Sequence, residues 1–140
     1  MRRLLVLLLL TLASPAMAQE RSAAQHDTLV QLARVLGEAH ALRQVCAGSE
    51  DPSWRSQFQQ MLDVEAPDEA FGRQLQSAFN AGAAARRGDF AACSQASRIA
   101  EAEVALEGRE LAAGLSRATI RVRPDDSVPD DPMAEDETPR

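Results

Sequence analysis

The 140-residue chain has no tyrosine and no lysine, and only one tryptophan, four phenylalanines and two cysteines. With aromatics so scarce, leucine and alanine must supply most of any core, and a covalent staple would add much to so lean an interior. Cys46 and Cys93 stand 47 positions apart with no C-x-x-C pair, which argues against a catalytic dithiol. Two distant cysteines with His26 and His40 match no compact metal-ligand spacing, so neither a metal nor a cofactor is expected. Strand signals are nearly absent, and no internal repeat is present.

The sequence opens with Arg2 and Arg3, an almost unbroken apolar run from Leu4 to Ala13, and the segment "SPAMA". This is the pattern of a secretory signal peptide over residues 1–18, with Ala16 and Ala18 in A-x-A spacing and cleavage expected after Ala18. The run is shorter than the ~20 residues a bilayer span requires, and no cysteine sits at the cut to take a lipid. A periplasmic protein beginning at Gln19, with no stable membrane anchor after cleavage, is therefore expected.

Losing Arg2 and Arg3 takes the net charge from −6 to −8, and the excess acid is concentrated at the far end. Asp125, Asp126, Asp130, Asp131, Glu135, Asp136 and Glu137 lie among four prolines with little apolar to bury, which marks 119–140 as a disordered acidic tail. Gln19 to Arg123 carries 14 acids and 12 bases, about −2, so no basic patch remains for nucleic acid or anionic lipid.

Between these ends, a linker over 19–27 leads into a helical domain over 28–118. Apolar residues there recur at helical spacing with recognisable stops, which predicts an all-α fold: a small four-helix domain stapled by one disulfide. Thr28 and Gln31 have capping-box spacing, so the first helix is expected from Thr28 to Cys46, with Leu29, Leu32, Val35, Leu36, Ala39, Leu42 and Cys46 inward and Gly48 as terminator. Asp51 and Pro52 start a second helix carrying Trp54, Phe58, Met61 and Leu62. A third starts near Pro67 or Asp68 and packs Phe71, Leu75, Ala78, Phe79 and Gly82. A fourth, alanine-rich, runs from about Ser94 to Arg117, with Thr119 to Arg123 as a short extended exit.

In an oxidising compartment the two thiols are expected to pair, clamping the end of the first helix to the start of the fourth. Arg43 lies between apolar positions on the first helix, and Glu65 falls in line with Trp54, Phe58 and Met61 on the second. An unpaired charge on either face would be expensive, so Arg43 and Glu65 are expected to form a partly buried ion pair that fixes packing. His40 is expected at the boundary of the stripe. Glu103, Glu107 and Glu110 form one strip of the fourth helix, expected as a solvated ridge or, if that helix packs on two sides, as acids meeting Arg73, Arg86 or a partner's bases.

The ordered set Arg43, Cys46, Trp54, Met61, Leu62, Glu65, Phe79, Asn80, Gly82 and Cys93, spread over "LARVLGEAHALRQVC", "WRSQFQQMLDVEAP", "FNAG" and "FAAC", resembles an uncharacterised family of exported alphaproteobacterial proteins. That resemblance spans Thr28 to Leu115 and implies export and a disulfide between two well-separated cysteines. It implies no activity. Ala83 stands where the family pattern usually has an aromatic.

With no catalytic constellation in view, the expected function is that of a non-enzymatic periplasmic helical binding or scaffold protein, whose partner would be an envelope protein. The alternatives are a small-ligand carrier with a cavity between helices, and a small envelope hydrolase using Glu65 or Glu103 with His40. The hydrolase requires those groups to converge in an enclosed pocket.

Overall fold

The computed structural model describes residues 21–120; the expected signal peptide and all but the first two residues of the expected acidic tail lie outside the described residues. Four helices follow one another: α1 Ala23–Ala47, α2 Ser53–Glu65, α3 Glu69–Arg86 and α4 Gln95–Ile120.

The first helix begins five residues before the expected start, so most of the expected linker is helical. Ser22-x-x-Gln25 forms the capping box: Ser22 Oγ accepts from Gln25 N–H at 3.3 Å, and Gln25 Oε1 accepts from Ser22 N–H at 2.7 Å. Thr28, expected to cap, instead donates its hydroxyl to Ala24 O within the helix. Two capping patterns compete six residues apart, and nothing in "AAQHD" opposes the helix, so the earlier one prevails. The last helix also outruns its expected end, with Thr119 and Ile120 continuing it where an extended exit was expected.

The other boundaries follow the local chemistry. Gly48 ends α1 at φ 95°, a conformation that favours glycine, with its N–H on Gln44 O. Asp51 Oδ1 accepts from Ser53 N–H at 3.0 Å at the start of α2, and Asp68 Oδ1 accepts from Phe71 N–H at 2.8 Å at the start of α3. At the head of α4, Ser94 and Ser97 satisfy each other's backbone N–H at 3.1 and 2.9 Å.

The central element is α1, which packs against each of the other three. Pairing Glu65 with Arg21 makes α2 antiparallel to α1, and the contacts His26–Phe71 and Glu38–Arg86 make α3 parallel to it. From Cys93 beside Cys46, α4 runs back until Leu115 joins Leu29 in the core. Being covered on several sides, α1 buries Ala33, Gly37 and His40 as well as its expected stripe from Leu29 to Leu42, while Cys46, expected inward, is only partly buried.

The larger core cluster joins Leu29, Leu32, Ala33 and Leu36 to Phe58, Leu75, Phe79 and Leu115. The smaller groups Val35, Ala39, Leu42 and Val104, with Trp54 and Leu111 packing on both. Each fully buried leucine or phenylalanine contributes about 1.5–3 kcal/mol. Cys46 and Cys93 are joined, with 4.6 Å between their α-carbons, as the compartment argument expects.

Candidate binding site

The two hairpin-like returns set the heights at which charged side chains can meet, and this is where the structure departs furthest from helical angles alone. Arg43 lies near the C-terminal end of α1, whereas Glu65 lies at the far end of the antiparallel α2. They sit at opposite ends of the bundle, and the expected pair between them does not form. Glu65 instead takes a two-point bond from Arg21, Nε at 2.8 Å and Nη2 at 2.5 Å, with both side chains largely shielded. Arg43 is half-exposed, reaching Asp51 at 3.6 Å and Glu101 at 3.8 Å. Glu101 also accepts from Trp54 Nε1 at 3.0 Å. Thus Trp54, Glu101, Arg43 and Asp51 tie α2, α4 and the end of α1 together beside the disulfide.

Hydrogen bonds from the Ser53 side chain and N–H hold the Asp51 carboxyl below the usual carboxylate range, with Arg43 adding to them and a little burial opposing. Ser97, fully buried, places its Oγ 3.4 Å from Cys46 Sγ, filling the space under the crosslink.

Away from that clamp, α2 and α4 diverge over α1. The result is an apolar groove of about 420 Å³ whose floor is Leu29, Leu32, Val35 and Leu36 and whose walls include Trp54, Met61, Val104, Ala105 and Gly108. Gly108 permits the closeness of that wall, since a Cβ there would stand 3.3 Å from Val35 Cγ1. Arg21, Glu65 and Arg109 also line the groove, and Val64 beside them is 79 % exposed.

A second cavity, about 430 Å³ and more polar, lies on the other face of α1, bounded by His40, Gln44, Arg55, Phe79, Asn80, Ala83 and Arg87. His40, expected at a boundary, is only 5 % exposed and leans on Phe79 with ring centroids 5.6 Å apart. The cause is the approach of α3, which covers a side of α1 that its leucine stripe leaves unmarked. Burial holds the His40 imidazole below its ordinary range, the charge of Arg55 pushes it further down, and Asp51 pulls the other way.

The remaining expected residues divide between packing and surface. Trp54, Met61 and Leu62 pack against the core, Phe79 is fully buried, and Gly82 sits buried against α1. Asn80 is exposed, its Oδ1 accepting from Gln76. Glu103, Glu107 and Glu110 form the expected solvated strip. The residues suggested for hydrolysis are not brought together: Glu65 lines the apolar groove, His40 lines the other cavity, and Glu103 lines neither. No three His, Cys, Asp or Glu side chains among the described residues converge as a metal site requires, and no helix there is long and apolar enough to cross a membrane.

A disulfide-linked all-α domain with an open apolar groove is the class of protein that this fold and site define. Within that class, the chain belongs to the family described as "Protein of unknown function (DUF2385)", whose model matches residues 25–118. No curated protein and no solved structure matches the chain.

Proposed function

We propose that the protein is an exported, non-enzymatic helical binding protein of the periplasm, and that its ligand is a slim apolar molecule held between α2 and α4. The groove carries this reading: about 420 Å³ of space floored by leucine and valine falls in the range that small-molecule sites occupy. Its lining runs along α2 from Trp54, which is bonded to Glu101, to the exposed Val64, a form that suits a single acyl chain. Arg109, which meets no carboxylate among the described residues, stands on the rim where an anionic headgroup would lie. Export is supported by the leader pattern and by the pairing of both cysteines, a bond that persists outside the cytoplasm.

The test is competition for N-phenyl-1-naphthylamine by a long-chain fatty acid, using the chain from Gln19 onward. Ala112→Trp fills the groove from an exposed position on its wall and should abolish probe binding without lowering the melting temperature. Equal probe binding in that variant would remove the groove as the site.

A further inference from the structure

Two arginines line each cavity, but those of the groove share it with Glu65, whereas the lining of the second cavity holds no carboxylate. Acids outnumber bases in this chain by 21 to 15, and Arg21, Arg34, Arg43, Arg73 and Arg86 each have a carboxylate within 4 Å. Arg55 and Arg87 have none among the described residues, although Arg55 stands on α2, Arg87 directly follows the end of α3, and the two share one concavity. Arg55 is held there by Phe79, its guanidinium carbon 5.3 Å from the ring centroid. Asp51, the acid whose field reaches His40, is already engaged by Ser53 and Arg43 and does not line the cavity.

Two neutral groups complete the lining chemistry. Asn80 uses its Oδ1 on Gln76, which leaves the amide NH2 as a donor. His40 is nineteen-twentieths buried, and its Nδ1 is shielded from solvent with no hydrogen-bond partner. A buried polar atom without a partner carries a desolvation penalty that a bound ligand relieves.

We propose that this cavity is an anion site for a small molecule bearing a carboxylate or phosphate group, with Arg55 and Arg87 supplying charge and Asn80 and His40 supplying neutral donors. Guanidinium groups suit both anions because their planar N–H pairs match two oxygens at once. The same chemistry could come from the chain's own acidic tail, so the test separates the two sources. The site is independent of the apolar groove, and its probes carry no apolar chain.

Inorganic phosphate and succinate are titrated calorimetrically into the chain from Gln19 onward. One saturable site is expected, weakened at least about tenfold by Arg55→Met and by Arg87→Met. Methionine keeps the apolar stem over Phe79 while removing the charge, and the melting temperature reports whether the fold persists. Arg73→Met, which removes an exposed arginine outside the cavity, should leave binding unchanged. Absence of saturable binding at millimolar anion, or equal weakening by Arg73→Met, overturns the proposal. A third arm replaces Asp125, Asp126, Asp130 and Asp131 by asparagine: unchanged phosphate affinity supports a small-molecule site. Binding that emerges only in that variant assigns the cavity to the tail and overturns it too.

Discussion

Gly37 and Gly82 lock α1 and α3 together at backbone distance: a Cβ on Gly37 would lie 1.9 Å from Phe79 O, and a Cβ on Gly82 would lie 2.0 Å from Arg34 O. Neither clash can be relieved by turning a side chain, because the opposing atoms are main-chain carbonyls. The contact also brings His40 under α3, sets Phe79 in the core, and lets Glu38 bond Arg86 across the two helices. Alanine at either position should therefore cost about 2–3 kcal/mol in urea denaturation, at the upper end of overpacking penalties, despite its better helix propensity. Stabilisation by either substitution would mean that α1 and α3 do not approach this closely.

The crosslink closes a 47-residue separation, for which chain-entropy reasoning gives about 4 kcal/mol. Cys46→Ser with Cys93→Ser should lower stability by up to that amount. Cys93 is exposed, so dithiothreitol should produce the same loss without mutation. Denaturation curves that are unchanged by reductant would contradict the stapled architecture.

Glu65 should couple energetically to Arg21 and not to Arg43. In double-mutant cycles, Arg21→Met with Glu65→Gln is expected to show an interaction of about 0.5–3 kcal/mol, whereas Arg43→Met with Glu65→Gln should be additive within a few tenths. The reverse pattern would restore the pairing that helical angles alone imply.

His40 makes stability depend on pH in a defined direction. Its imidazole is held below the ordinary value by burial and by Arg55, and Asp51 only partly offsets them; Arg87 lines the same cavity. Below about pH 6.5 the unfolded chain takes up a proton that the native His40 does not, so stability falls as pH falls through that value, by at most about 1.4 kcal/mol per unit. The slope of unfolding free energy between about pH 7 and 5.5 should flatten in His40→Gln. A slope identical to that of the parent would place the origin elsewhere.

Much of the fold is legible in the sequence because periodicity and stops are local signals. Asp51, Asp68 and Gly48 mark ends where they are expected, and Cys46 and Cys93, with no third cysteine to compete, are joined as expected. What depends on the height of one helix against another is not legible. Arg43 and Glu65 each have the right angle for an inward charge, but the antiparallel return of α2 separates them and brings up Arg21 instead.

The centrality of α1 is similarly hidden, since its leucine stripe marks one covered side and gives no warning that His40 will be buried on another. Gly37 is the residue that carried that information: an isolated glycine inside "RVLGEAHA", matched by Gly82 inside "FNAGAA", signals a close backbone approach. Of the candidate site, Trp54 and Met61 were foreseeable as apolar lining, whereas Arg55 and Arg87 converge only once α2 and α3 are in place.

Trp54 is the only tryptophan in a chain without tyrosine, and it lines the apolar groove, so its emission reports on that space with little background. Titration with a long-chain fatty acid brominated along its chain is the most direct measurement. The proposed groove predicts saturable quenching of Trp54 that is lost in Ala112→Trp once the new tryptophan's own emission is subtracted. Emission that stays constant through saturating ligand would show that no apolar chain enters between α2 and α4.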